Sequence, residues 1–102
     1  MTAPTAFKIL TAQQWADFER ERVFRGAPVD LADGFIHLST AEQLQGTLEK
    51  HFAGERDLRI AEIDLGQVET MVRWEEARGG ALFPHLYGEL PMHAVVGISK
   101  RD

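Results

Sequence analysis

GFIHLSTAEQLQGTLEKHF, at residues 34–52, predicts a strand that leads directly into a helix. Residues 34–39 read as the strand. Ser39, with Glu42 three positions later, is typical of a capping box in which the serine begins a helix as its N-cap. Apolar residues then recur at three- and four-residue spacing, which gives the helix one buried face. The residues of that face are Ala41, Leu44, Leu48 and Phe52.

An earlier unit of the same kind precedes this segment. Residues 7–10 predict a strand, and Thr11 with Gln14 forms a capping box for a helix that runs to about Phe24. A loop is then indicated by a group of turn-forming residues, Gly26, Pro28, Asp33 and Gly34.

Strands dominate the second half of the chain. They are predicted at 57–64, 71–75, 82–88 and 94–99, with a turn at Gly79-Gly80. Pro84 has no amide hydrogen and therefore favours either an edge strand or an irregular strand for 82–88, while 94–99 reads as a buried strand. The order βαβα followed by consecutive strands predicts a compact α+β fold with two main helices and a mixed or split, mostly antiparallel β-sheet.

Composition limits the classes of protein to which the chain can belong. Its 102 residues, of which 44% are hydrophobic, predict a single domain over 1–102. A net charge of −5, with the basic residues scattered, argues against general nucleic-acid binding. The absence of cysteine excludes disulfides and thiolate chemistry. Because no signal peptide or membrane-spanning run is visible, we expect a cytoplasmic protein that does not bind membranes.

Three of the predicted strands each have a face that mixes aromatic with ionisable side chains. Alternate residues of a strand share a face. The three mixed faces are Phe35, His37 and Ser39; Met71, Arg73 and Glu75; and Phe83, His85 and Tyr87. If the three strands belong to one sheet, these faces line a common aromatic-walled cleft.

Such a cleft contains groups suited to binding and proton transfer. Histidine exchanges protons near neutral pH, as His37 and His85 could. A carboxylate such as Glu75 can act as a base or stabilise a positive charge. The guanidinium of Arg73 can hold a carboxylate or phosphate, and aromatic rings such as that of Tyr87 can stack on a flat ligand.

Three arrangements of these residues are compatible with the pattern. His37, Tyr87 and Glu75 could form a site for glycosyl transfer from a nucleotide. His37-Leu-Ser39 and His85-Leu-Tyr87 loosely match the paired H-x-[ST] motifs of two-histidine phosphoesterases, with tyrosine in place of the second hydroxyl residue. Two histidines and the Glu75 carboxylate could also bind zinc or iron, although no local metal-binding spacing is present.

Five stretches of the chain resemble the bacterial domain-of-unknown-function family 952 (DUF 952). The resemblance covers about residues 6–99. The stretches are DGFIHLSTAEQ (33–43), HFAG (51–54), LRIAEID (58–64), RWE (73–75) and LFPHLYGELP (82–91). It implies an ADP-ribosyltransferase-like fold, which is a split β-sheet around an NAD cleft.

The resemblance also implies roles for individual residues. His37 would bind a ribose hydroxyl, Tyr87 would stack on nicotinamide, and Glu75 would be the catalytic carboxylate. In such transferases the glutamate follows the aromatic residue, which makes Glu89 an alternative. The expected activity is ADP-ribosyl transfer or cleavage of NAD, with NAD as substrate and no metal.

The candidate site consists of two catalytic residues and five ligand-binding residues. The catalytic pair is His37 and Glu75, and the ligand-binding residues are Ser39, Arg73, Phe83, His85 and Tyr87. Two alternatives remain open. One is a module that binds a nucleotide or another small molecule without chemistry, and the other is a phosphoesterase that uses His37 and His85.

Overall fold

Three helices and three small antiparallel sheets make up the computed structural model of the protein, which describes residues 4–102 apart from the side chain of Arg78. The helices are α1 (Ala12–Glu21), α2 (Pro28–Asp33) and α3 (Ala41–His51). The strands are β1 (Thr5–Thr11), β2 (Val23–Phe24), β3 (Ile36–His37), β4 (Leu58–Asp64), β5 (Val72–Glu76), β6 (Leu82–Leu86), β7 (Leu90–Pro91) and β8 (Val95–Arg101). Within residues 4–102, no helix is long and apolar enough to cross a bilayer.

The sheets have the strand orders β1-β4-β8, β2-β7 and β3-β6-β5, and every pairing is antiparallel. All three sheets and α1 contribute side chains to one apolar core. Its members include Leu10, Phe18, Phe24, Ile36, Ile63, Leu86 and Leu90. A second cluster lies under α3 and contains Ile9, Leu48, Leu58 and Ile60. The prediction of a compact α+β fold with mostly antiparallel strands is therefore confirmed, with a third, short helix added.

That additional helix is α2, in the region that the sequence predicted to be a loop. The prediction was wrong because Pro28 and Gly34 mark the two ends of a short helix. Proline is favoured in the first turn, where no amide hydrogen is needed, and Gly34 adopts φ 87° as the C-cap. The helix α1 also ends earlier than predicted, at Glu21, because Arg22 turns into the left-handed conformation with φ 66°.

Pro84 lies in the central strand of its sheet, which excludes the edge strand that was one of the two predicted alternatives. On the β5 side it faces Trp74, at a position between the hydrogen-bonded pairs, where no amide hydrogen is required. On the β3 side its carbonyl accepts a hydrogen bond from the Leu38 amide at 3.1 Å. Proline can return no hydrogen bond at that pair, which is consistent with β3 ending at His37.

The last strand is the edge of its sheet rather than a buried strand. β8 pairs with β4 on one side only, and Val96 and Ile98 remain exposed. The apolar composition of 94–99 suggested burial, but no second element covers this face among residues 4–102.

Candidate functional site

The three predicted mixed faces belong to one sheet. β6 lies between β3 and β5, with His37 opposite His85 and His85 opposite Arg73. The side chains of these paired residues therefore project from the same side of the sheet. The register brings together residues that are about 50 positions apart in the chain, such as His37 and His85.

The ring of Phe35 packs against three other rings of this face. Its centroid lies 4.0 Å from that of His85 in a stacked arrangement, 4.6 Å from that of His37 and 5.2 Å from that of Tyr87. The rings of His37 and His85 are 5.6 Å apart and meet edge to face. The two histidines are thus held side by side against a shared phenyl ring.

His37 is bound by two carboxylates from α2. Its Nδ1 atom lies 2.7 Å from Oδ1 of Asp30, and its Nε2 atom lies 2.9 Å from Oδ2 of Asp33. Because these aspartates are three residues apart in α2, both face the same histidine. Each ring nitrogen of His37 therefore faces a carboxylate oxygen, which can accept a hydrogen bond from that nitrogen when it carries a proton.

Asp30 is a buried carboxylate that accepts hydrogen bonds from several donors. It accepts hydrogen bonds from the backbone amides of Ala27 at 2.7 Å and His37 at 3.0 Å, and it pairs with Nζ of Lys8 at 2.9 Å. Burial alone would raise the pKa of Asp30, but the hydrogen bond from His37, the charge of Lys8 and the two amides outweigh burial and lower it to about 2. Burial also lowers the pKa of Lys8, despite the opposing effect of Asp30.

A second carboxylate orients His85. Oε1 of Glu75 lies 2.7 Å from Nδ1 of His85 and accepts a hydrogen bond from the Tyr87 hydroxyl, also at 2.7 Å. These two hydrogen bonds, that from His85 first, lower the pKa of Glu75, while the bond to Glu75 raises the pKa of Tyr87. The guanidinium carbon of Arg73 lies 4.8 Å from the centre of the Tyr87 ring.

A pocket of about 530 Å³ opens beside the two histidines. Its lining includes four of the seven predicted site residues, His37, Ser39, Phe83 and His85. The other three, Arg73, Glu75 and Tyr87, are not part of the lining and contact it through His85 or through one another.

The pocket has an apolar part and a polar part. The apolar part is formed by Phe7, Ile9, Val29, Leu38, Phe52 and Phe83. The polar part includes His37, Asp33 and the hydroxyls of Ser39 and Thr47, which lie 2.9 Å apart. Most ligand pockets combine an apolar wall with a few placed polar groups in this way.

Ser39 is not the N-cap of α3. That role belongs to Thr40, whose hydroxyl accepts a hydrogen bond from the Gln43 amide at 3.2 Å, while Oε1 of the Gln43 side chain accepts one from the Thr40 amide at 3.0 Å. The capping box therefore begins one residue later in the chain than predicted. The displacement leaves the buried Ser39 hydroxyl facing Thr47 and the pocket instead.

Sequence reasoning missed Lys8, Asp30 and Asp33. The signals were a lysine within an apolar strand and two aspartates spaced three apart, but the latter lay in the presumed loop. The alternative carboxylate Glu89 is exposed, binds Arg25 at 3.0 Å and does not line the pocket. Across residues 4–102, no group of three or more metal-ligating side chains is arranged to hold a metal ion.

Comparison with known proteins supports the family assignment and the fold. The protein CC0527 from Caulobacter crescentus shares 40% sequence identity; its crystal structure matches with a TM-score of 0.93 over 96% of this chain and 86% of that chain. The solution NMR structure of the same protein matches with a TM-score of 0.82 over 93% and 82% of the two chains. No curated protein matches at a significant level. The family model described as a protein of unknown function (DUF952) matches residues 9–98, and the chain therefore belongs to the DUF952 family.

Proposed function

We propose that the protein binds a nucleotide or a related phosphorylated metabolite in this pocket, and that His37 and His85 perform acid–base chemistry on it. One observation carries the proposal: two histidines line the same pocket with ring centroids 5.6 Å apart, and each is held at Nδ1 by its own carboxylate. A histidine fixed in this way presents Nε2 as its reactive nitrogen.

The two histidines can divide the work of cleaving a phosphate ester. One imidazole takes a proton from water as the water oxygen bonds to phosphorus. The other, as imidazolium, gives a proton to the leaving oxygen as the phosphorus–oxygen ester bond breaks. Asp30 and Glu75 act as positioning residues that orient His37 and His85 through Nδ1. Nε2 of His85 has no hydrogen-bond partner among the described residues, so it is available for this step.

The remaining lining is suited to the organic part of such a ligand. A pocket of about 530 Å³ is within the range that holds small organic ligands. Phe7, Phe52 and Phe83 provide aromatic surface for a base or another flat ring. The Thr47 hydroxyl donates to the Gln43 carbonyl, so the Ser39 hydroxyl donates to Thr47, and the Ser39 oxygen can accept a hydrogen bond from a sugar hydroxyl.

A thermal-shift titration tests the proposal. Purified protein is titrated with nucleoside monophosphates, ADP-ribose, NAD and a chromogenic phosphodiester, and hydrolysis of each is followed. A ligand at 100 times its dissociation constant stabilises the native state by about 2.7 kcal/mol. We expect a shift that is lost in His37→Ala and His85→Ala but kept in His93→Ala, because His93 is exposed and lies outside the pocket lining.

The experiment has three informative outcomes. Binding with hydrolysis that needs both histidines supports the acid–base enzyme. Binding without turnover indicates a nucleotide-binding module. If none of the ligands binds, or if the shift persists in both histidine variants, the proposal is wrong.

A second candidate is ADP-ribosyl transfer or glycosidic cleavage of NAD. It is favoured by the Glu75 carboxylate, which is bonded to Tyr87 and lies on the same sheet face as His37. These are the histidine, aromatic residue and carboxylate implied by the family resemblance. In this reaction the bond between nicotinamide and ribose breaks, nicotinamide leaves with the bonding electrons, and a carboxylate stabilises the positive charge that develops on the ribose. The oxygen of water or of an acceptor hydroxyl then bonds to the ribose carbon and loses its proton to a base.

Release of nicotinamide from NAD, followed by chromatography, tests this candidate. We expect release by the wild type to be lost in Glu75→Gln and in His37→Ala. Glu76→Gln is the matched control, because Glu76 is the exposed neighbouring carboxylate of the same strand. Release that survives both Glu75→Gln and His37→Ala would exclude the proposed mechanism, and loss in Glu89→Gln alone would reassign the carboxylate.

A further inference from the structure

The carboxylate of Asp33 lies against Nε2 of His37, the ring nitrogen that Asp30 does not contact. Oδ2 of Asp33 lies 2.9 Å from Nε2, and both residues line the pocket. Acid–base chemistry at His37 requires Nε2 to contact the ligand. Asp33 must therefore leave this position, or share it, when a ligand reacts there.

The two aspartates that bind His37 are held very differently. The Asp30 side chain is 1% exposed and receives hydrogen bonds from Lys8, from His37 and from the backbone amides of Ala27 and His37. The Asp33 side chain is 48% exposed, and its pairing with His37 is its one hydrogen bond or ion pair among the described residues. Because exposed ion pairs contribute little stability, Asp33 can rotate away at small cost, whereas Asp30 cannot.

The balance of charge indicates what replaces Asp33. Lys8 carries one positive charge, and His37 carries a second when both of its ring nitrogens are protonated; in that form the carboxylates of Asp30 and Asp33 neutralise the two charges. Rotation of Asp33 away from the ring leaves a net charge of about +1 on the remaining three groups. An anion at Nε2 restores neutrality, but a neutral or cationic group does not.

We propose that Asp33 occupies the place of the ligand's anionic group, and that a phosphate or carboxylate of the ligand displaces Asp33 from Nε2 of His37. This inference rests on the proposed function, in which the ligand is phosphorylated, and it adds the residue that determines selectivity for an anion. An uncharged or cationic ligand would instead keep Asp33 in place, and Asp33 would then contribute to its binding. The two cases predict opposite effects of removing the Asp33 carboxylate.

The test uses two simple anions and the ring nitrogens of His37. Inorganic phosphate and acetate are titrated separately into ¹⁵N-labelled protein at constant ionic strength, and the Nε2 resonance of His37 is followed by long-range ¹H–¹⁵N NMR. The variants are Asp33→Asn and Asp33→Ala. Glu55→Gln is the matched control, since Glu55 is a carboxylate of the same pocket lining with no ion pair to His37.

We expect both Asp33 variants to bind phosphate about two- to fivefold more tightly than the wild type, as estimated from the weak competition of an exposed ion pair. Glu55→Gln should change the affinity less. The acetate titration shows whether any carboxylate suffices or whether phosphate is preferred. If phosphate affinity is unchanged or lower in both Asp33 variants, the inference is wrong.

The same titrations separate this inference from the proposed function. If nucleotides bind and react at His37 but the Asp33 variants gain no affinity for anions, only the displacement of Asp33 fails. If the Asp33 variants gain affinity for phosphate while no nucleotide affects the wild type, the proposed function fails and the displacement stands.

Discussion

His37 and His85 lie directly opposite each other on β3 and β6, yet the carboxylates that hold them come from different elements. Asp30 reaches His37 from α2, and Glu75 reaches His85 from β5. The pair therefore exists only when α2 and both strand pairings are in place. Variants of the supporting carboxylates should accordingly reveal how the site is built.

We expect Asp30→Asn to destabilise the protein by about 3 kcal/mol or more, because it leaves the buried ammonium of Lys8 without its charged partner. Urea unfolding measures the change. Asp17→Asn is the control: Asp17 forms an exposed pair with Arg20, so its loss should cost about 1 kcal/mol or less.

A double-mutant cycle assigns that cost to the ion pair. Lys8→Met should be less destabilising in the Asp30→Asn background than in the wild type, because the variant has already lost the pairing. Equal effects of Lys8→Met in both backgrounds would show that Lys8 and Asp30 do not stabilise each other.

The stability of the protein should fall in acid partly because of Asp30. Its pKa is lowered from 3.8 to about 2 in the folded state. The folded state therefore holds the ionised carboxylate more strongly than the unfolded state does. This contribution is complete above about pH 4 and is lost as the pH falls toward about 2.

Denaturant unfolding between about pH 5 and pH 2 measures this effect. The wild type should lose stability more steeply than Asp30→Asn over the window from about pH 4 to about pH 2. Parallel profiles for the two proteins would mean that the ionisation of Asp30 is not coupled to folding.

The period of two in the strands was sufficient to predict which side chains share a face. His37, Glu75 and His85 were placed on faces that the sheet β3-β6-β5 does bring together. The pairing register could not be predicted, because nothing in a single strand specifies which residue of another strand it opposes. The sequence therefore did not show that His37 faces His85 directly.

The carboxylates behind His37 could not be predicted for a different reason. Lys8 and Asp30 are 22 residues apart and meet only through tertiary packing. The residues around each one therefore do not indicate that the two form a buried ion pair. Pro28 and Gly34 were interpreted as turn formers, although proline and glycine also mark the beginning and the end of short helices. Because α2 was not predicted, Asp30 and Asp33 were not included in the candidate site.

The N-cap of α3 can be distinguished from its neighbour by mutation. Thr40→Ala should cost about 1 kcal/mol and should speed hydrogen exchange of the Gln43 amide, which loses its side-chain acceptor. Ser39→Ala should leave that exchange rate unchanged, because the Ser39 hydroxyl contacts Thr47 instead. Faster exchange in Ser39→Ala alone would restore Ser39 as the cap.

Tyr87 is the single tyrosine of the chain, so alkaline absorbance titration measures its pKa directly. Its hydroxyl donates to Glu75, and this bond to a carboxylate raises the pKa of Tyr87 above its usual value of 10.0. We expect Glu75→Gln to shift the titration to lower pH, because the neutral amide no longer opposes the phenolate charge. Glu76→Gln, on the same strand, should leave it nearly unchanged. An unaltered titration in Glu75→Gln would mean that Tyr87 and Glu75 are not bonded in solution, and the carboxylate would then be held by His85 alone.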